Sequence, residues 1–143
     1  MKNIKYVPKF IIVLSFFILL ICVMSLFLGR TKVFLRIDTL QHEFPNFYQH
    51  ISNFSISYLL LSGIGFMWLL LGISFKYVTW LAISILISNF IYELWISILN
   101  TPDIFDAYFG LSGTILAFLF LIITKNYGLK ANPLIETGIV IKH

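Results

Sequence analysis

The chain has 143 residues, of which 59% are hydrophobic, 17% aromatic and only 11% charged, and its formal net charge is +4 at pH 7. Soluble domains usually carry about 25% charged residues, so this composition excludes an ordinary water-facing globule and indicates that lipid covers the apolar excess. The basic balance does not indicate a nucleic-acid-binding protein, because the ten Lys and Arg are spread along the chain and form no basic stripe.

Four apolar runs predict four membrane-spanning helices, at about 10–28, 54–75, 77–99 and 104–124. Each run is close to the length of about 20 residues that a helix needs to cross a hydrocarbon layer of ~30 Å. Lys76 alone separates the second run from the third, which predicts an antiparallel hairpin. The predicted fold class is an all-α integral membrane protein with four transmembrane helices, forming a single membrane domain over residues 1–143.

Two polar segments lie outside these runs. The first, residues 29–53, has apolar residues at roughly helical spacing, namely Phe34, Ile37, Leu40 and Phe44. This pattern is typical of a short amphipathic helix on a membrane surface, and an ordinary solvated loop is the alternative. The second segment is the tail, residues 125–143, which is predicted to be exposed and partly disordered because it contains Gly128 and an Asn-Pro pair.

The distribution of Lys and Arg predicts the orientation. If the N-terminus is cytoplasmic, seven of the ten basic residues lie on the inner side and three on the outer side. The excess of positive charge on the cytoplasmic side therefore predicts a bacterial plasma-membrane protein with both termini cytoplasmic. In this arrangement the outer side holds two histidines and most of the acidic residues, namely His42, His50, Asp38, Glu43, Glu93, Asp103 and Asp106.

Three carboxylates lie in or beside the most apolar part of the chain. An unpaired carboxylate is costly there, so Glu93 is a candidate proton carrier, ligand for a cationic group or acid/base, unless it reaches interfacial water or pairs with Lys or Arg. Asp103 and Asp106 are three residues apart and can share one face of a helix start, where they would bind a divalent ion or share a proton. Asp103 follows Thr101-Pro102, which equally suits a helix cap.

His50 precedes the second run and completes the predicted polar or ligand-binding cluster of Glu93, Asp103, Asp106 and His50. An interfacial histidine is the alternative interpretation. No metal site is predicted, since no compact ligand motif such as HExxH is present, and no cofactor is identified. Gly110 and Gly113 are predicted to allow close helix packing rather than to contact a ligand.

These residues resemble the pattern of the VanZ-like family of small bacterial membrane proteins. The matching positions, between residues 46 and 120, are His50, Tyr58, Glu93, Asp103, Asp106 and Gly113. The family's Gln, Arg, Asn and second Gly are replaced at Ile96, Asn100-Thr101, Gly110 and Ala117. The resemblance implies a handful of membrane helices and an association with reduced susceptibility to glycopeptide antibiotics, without implying a biochemical activity.

The predicted function is therefore that of a membrane protein, surrounded by lipid, whose outward-facing cluster binds or shields a cell-envelope component. Two alternatives are open at this point. The same acids would serve a membrane enzyme acting on a lipid-linked substrate, or the chain would be a small subunit or assembly factor bound to a larger membrane protein. Whether it is an enzyme is left open, and no nucleic-acid partner is predicted.

Overall fold

A computed structural model describes residues 4–95 and 103–133 of the chain. Within these ranges, four helices are long and apolar enough to cross a membrane: α1 (Phe10–Gly29), α3 (Phe47–Leu70), α4 (Phe75–Trp95) and α5 (Ile104–Ile123). The remaining elements are short, namely β1 (Tyr6–Pro8), a 3₁₀-helix (Val33–Leu35), α2 (Asp38–Glu43), a π-helical turn (Thr124–Gly128) and β2 (Leu129–Ala131). The prediction of four long apolar helices is confirmed, and the described residues are consistent with an all-α fold apart from one short strand pair. These helices are compatible with a multi-pass membrane protein.

Helices α3 and α5 form the centre of the bundle and run in the same direction. Small residues bring the two helices together, because a Cβ on Gly113 would overlap the backbone carbonyl of Phe54 in α3. Helix α1 packs on α3, and α4 packs on both central helices. The apolar core between them contains fully buried residues from three helices, namely Tyr58, Leu61, Val78, Ala117 and Leu121.

The second spanning helix occupies Phe47–Leu70 rather than the predicted 54–75. It starts earlier because the polar side chains of its first two turns face neighbouring helices. It ends earlier because Gly72 adopts a positive φ of 76°, the left-handed conformation that closes many helices. The N–H of Gly72 donates to the carbonyl of Leu69 at 3.0 Å, and the N–H of Ile73 donates to that of Trp68 at 2.9 Å. The predicted end of the third run, 96–99, lies outside the described residues.

The connection between α1 and α3 is ordered around Tyr48, which is buried against Gly29. The hydroxyl of Tyr48 accepts a hydrogen bond from the N–H of Ile37 at 2.7 Å. The guanidinium of Arg36 lies over the Tyr48 ring, 5.5 Å from its centroid, and donates to the carbonyl of Gly29 at 2.9 Å. Of the predicted amphipathic stretch, only Asp38–Glu43 is α-helical, and its location on a membrane surface stays a prediction.

Residues 125–131 of the predicted exposed and partly disordered tail are mostly exposed but have regular structure. Helix α5 continues into a π-helical turn over Thr124–Gly128, and β2 then pairs antiparallel with β1, with Tyr6 opposite Ala131. The side-chain amide of Asn132 also donates to the carbonyl of Ile4 at 2.8 Å. The propensity of single residues does not reveal this pairing, which depends on a partner strand more than 120 residues away. Residues 134–143 lie outside the described part of the chain.

Candidate functional site

His50, Asp106 and Asp103 meet where the first turns of α3 and α5 lie side by side. The Nδ1 atom of His50 is 2.9 Å from Oδ1 of Asp106 and 3.7 Å from Oδ2 of Asp103. When Asp106 is ionised its carboxylate can only accept a hydrogen bond, and Nδ1 of His50 is then the donor in this contact. The imidazole is thereby oriented, and only 8% of His50 is exposed. Three of the four residues of the predicted cluster therefore lie together.

Asp103 has both of the roles that its position in the sequence allows. It is the N-cap residue of α5, and its Oδ1 accepts a hydrogen bond from the N–H of Phe105 at 2.9 Å. Its other carboxylate oxygen faces His50. Asp106 lies in the first turn of the same helix, where a negative charge is favourable to the helix dipole. Helix capping thus fixes the position of one carboxylate of the cluster and leaves its second oxygen available to a ligand.

A cavity of about 220 Å³ adjoins the cluster at His50. Four phenylalanines line it, namely Phe44, Phe47, Phe105 and Phe109, and the chain segment preceding α3, residues 43–46, forms its rim. The His50 ring lies 5.5 Å from the Phe109 ring and 5.9 Å from the Phe105 ring, centroid to centroid. Aromatic faces attract cations as well as apolar groups, so this cavity suits a ligand that carries either.

Glu93 lies beside this group rather than in it. Its carboxylate accepts a hydrogen bond from the side-chain amide of Asn53 at 3.0 Å, and only 2% of the residue is exposed. Asn53 is one helical turn beyond His50 on α3, so Glu93 lies about one turn deeper in the bundle than His50. Because Glu93 is held by other residues of the protein, its burial does not require a ligand.

A second polar contact extends the same strip of α3 by another turn. The side-chain amide of Asn89 in α4 donates to the hydroxyl of Ser57 at 2.9 Å. Gly110 of α5 makes room for this contact, since a Cβ there would come within 2.5 Å of the Asn89 amide nitrogen. Gly113, by contrast, packs on the α3 backbone. Sequence reasoning did not find Ser57, although its spacing of seven residues from His50 places it on the same helix face.

The two ends of the bundle carry opposite charge among the described residues. Among the described residues, the end that holds His50 carries five carboxylates and three basic residues, namely Arg30, Lys32 and Arg36. The other end carries five described lysines and no described acid. Arg30 donates to the hydroxyl of Ser52 at 2.9 Å, so it is directed to α3 rather than to the cluster. Within residues 4–95 and 103–133, no Lys or Arg pairs with Asp103 or Asp106. The cluster therefore keeps a negative charge that a cationic ligand can neutralise.

The cluster also has the composition of a metal site, which the sequence did not predict. One ligand atom from each of His50, Asp103 and Asp106 lies within 4.8 Å of the others. An imidazole nitrogen without its hydrogen, together with two carboxylate oxygens, suits divalent ions such as Zn²⁺ or Mn²⁺, so metal binding would replace the hydrogen bond from Nδ1 to Asp106. His42 does not belong to this group, because it is exposed in α2 with its imidazole 3.6 Å from Glu43. Ligands from two helices separated by more than 50 residues form no short motif, which is why the sequence pattern did not indicate them.

The arrangement has three chemical capacities. The carboxylates of Asp103 and Asp106 can bind an organic cation. Together with His50 they can bind a divalent ion. An imidazole that is held through Nδ1 also presents its other nitrogen as a base.

Comparison of the chain with protein-family models, with curated proteins and with solved structures gave no match.

Proposed function

We propose that this chain is a VanZ-like multi-pass protein of the bacterial plasma membrane, and that its His50, Asp103 and Asp106 bind a cationic group of a cell-envelope component at the outer face. The observation that carries this proposal is the convergence of these three side chains from α3 and α5 beside an aromatic-lined cavity. Binding or shielding an envelope component there would limit the access of a glycopeptide antibiotic to its target.

Placement in a membrane is supported by the outward faces of the helices. Large apolar side chains on α1 and α4 are exposed in the isolated chain, namely Phe10, Phe17, Ile21, Trp80 and Ile87. Burying such a side chain in lipid instead of water is worth about 1.5–3 kcal/mol each, so the helices favour insertion. The end with five lysines would then be cytoplasmic and the end with His50 extracytoplasmic, as the positive-inside rule requires.

The contacts within the cluster explain how a cation would be held. His50 donates to Asp106 and so fixes that carboxylate, while the backbone N–H of Phe105 fixes Asp103. Both carboxylates are therefore positioned before a ligand arrives, which lowers the entropic cost of binding. The rings of Phe105 and Phe109 would contact the cation or the apolar group that carries it.

The difference from the family pattern at Gly110 also has a structural counterpart. The VanZ-like pattern has an Asn at this position, whereas this chain places the side-chain amide of Asn89 from α4 in the space beside Gly110. An amide is thus kept at this level of the bundle, although it comes from a different helix. The Asn89 amide supports the proposed resemblance, because it keeps a polar group where the family pattern has one.

The proposal is tested by expressing the chain in a glycopeptide-susceptible bacterium and measuring the inhibitory concentration of the antibiotic. The wild type should raise it, and the Asp103→Asn/Asp106→Asn double variant should return it to the level of cells without the protein. The control is Asp38→Asn, which removes an exposed carboxylate from the same end without touching the cavity lining. Immunoblots of isolated membranes check that all forms are present equally. Protection that is absent in the wild type, or equal in the double variant and the Asp38→Asn control, would contradict the proposal.

The three convergent metal ligands favour one further candidate function, a membrane enzyme that uses a divalent ion on a lipid-linked substrate. The purified protein should then bind Zn²⁺ or Mn²⁺ with a stoichiometry of one, and His50→Ala should abolish this binding. Isothermal titration calorimetry in detergent measures both quantities. Unchanged ion binding in the His50 variant would exclude this cluster as the metal site.

A further inference from the structure

A second cavity lies at the opposite end of the bundle from His50. Its volume is about 710 Å³, and it lies between the turn that joins α3 to α4, the end of α5 and the β1–β2 pair. The polar and charged residues that line it belong to four elements or turns: Tyr6, Ser74, Lys76, Thr79 and Lys125. No acidic residue lines this cavity.

The two lysines give the cavity a positive charge that no described neighbour neutralises. Lys76 lies in the first turn of α4, where the helix dipole adds further positive potential. Lys125 follows α5, and its ammonium lies 4.8 Å from the centroid of the Phe75 ring. The described part of this end carries five lysines and no carboxylate, so its field attracts anions. A phosphate is the anion whose charge and oxygen acceptors match two ammonium groups with neighbouring hydroxyls.

The position of the cavity indicates where such a phosphate comes from. The cavity opens where the spanning helices α3, α4 and α5 end or begin, which is the level of the headgroups if the helices cross a membrane. Tyr77 and Trp80, in the first turns of α4, are both more than half exposed. Aromatic side chains in this position are typical of the membrane–water boundary, and their outer face would lie against acyl chains. A lipid fits this combination of a basic cavity and an adjacent apolar surface.

We propose that this cavity binds the phosphate of an anionic lipid headgroup, such as that of phosphatidylglycerol. The inference rests on the membrane insertion proposed above, but it is independent of the ligand proposed for the His50 cluster. Bound lipid would join the α3–α4 turn to the end of α5 and so hold together the basic end of the bundle.

Native mass spectrometry of the full-length protein in detergent tests this site, with phosphatidylglycerol and phosphatidylcholine as probes. The wild type should retain phosphatidylglycerol in preference to phosphatidylcholine. The variant Lys76→Gln/Lys125→Gln should weaken phosphatidylglycerol binding about 25-fold, from a factor of about five for each lysine. The matched control is Lys9→Gln/Lys130→Gln, which removes two exposed charges from the same end without touching the cavity lining and should leave binding nearly unchanged.

Inorganic phosphate, added as a competitor, distinguishes the two sources of the anion. Displacement of the lipid by phosphate would show that the phosphate group alone is recognised, whereas retention of the lipid would show that its glycerol and acyl portions also contribute; either result supports the site. Equal retention of the two lipids, or equal loss in the two double variants, would overturn it. Carbonate extraction of cell membranes tests insertion separately, so a chain that does not insert is distinguished from an inserted chain without a lipid site.

Discussion

Gly113 provides the sharpest test of how the central helices bring the cluster together. A Cβ at this position would lie 2.9 Å from the carbonyl carbon and 3.0 Å from the Cα of Phe54. Carbon atoms are in optimal contact at about 3.5–4.0 Å and the carbonyl oxygen of Phe54 would lie closer still, so Gly113→Ala requires α3 and α5 to separate by about 1 Å. Both partners of the overlap are backbone atoms, which cannot rotate away as a side chain would.

The magnitude follows from two opposing terms. Overpacking of this kind costs about 3 kcal/mol, while Ala is favoured over Gly in a helix interior by about 1 kcal/mol. The free energy of unfolding of Gly113→Ala should therefore fall by about 2 kcal/mol. The matched control is Gly63→Ala in α3, where an added Cβ meets no atom within 4 Å. This control keeps only the helix-propensity gain, so the two variants should differ by about 3 kcal/mol.

Unfolding by sodium dodecyl sulfate in mixed micelles, followed by far-ultraviolet circular dichroism, measures this difference. The proposed protection against the glycopeptide antibiotic should fall together with the stability of Gly113→Ala, because separating the helices moves Asp106 away from His50. A Gly113→Ala protein as stable as Gly63→Ala would refute the reasoning, since it would show that α3 and α5 do not approach as closely as described.

Two further predictions concern contacts elsewhere in the bundle. Gly72→Ala should lower the free energy of unfolding by about 1–2 kcal/mol in the same unfolding assay. The substitution forces Ala into a positive φ and places its Cβ against the side chain of Lys5. Stability equal to the wild type would contradict this prediction. The Ser57→Ala and Asn89→Ala variants should show a coupling of about 0.5–1 kcal/mol in a double-mutant cycle, because the two side chains form one hydrogen bond. This is the usual contribution of one hydrogen bond between membrane helices. Additive effects of the two variants would show that the contact is not formed.

The boundaries of the helices show how far local patterns lead. The apolar run at 10–28 predicts α1 to within one residue, because the ends of this helix depend only on its apolar residues and on the charged residues that flank them. The run at 54–75 misses the first seven residues of α3, since a helix continues wherever its polar side chains find partners. The polar residues involved, His50 and Asn53, have their partners on α5 and α4.

The candidate site was only partly predictable. The cost of carboxylates in an apolar segment singled out Glu93, Asp103 and Asp106, and the order of residues placed His50 at the same end of the bundle. The sequence did not show that Asn53 would hold Glu93 apart from His50, Asp103 and Asp106. Nor did the sequence show that a strand pair would add Tyr6 and Leu129 to the lining of the basic cavity beside Lys76 and Lys125.

The amino-acid sequence by itself therefore determined the four long apolar helices, the concentration of acids towards one end and of lysines towards the other, and the residues expected to matter. These features depend on composition and on spacing along one chain segment. Only the tertiary structure decided which side chains meet. Their meeting depends on the rotation and axial position of each helix, which the close contact of Gly113 with the α3 backbone sets to within about an ångström.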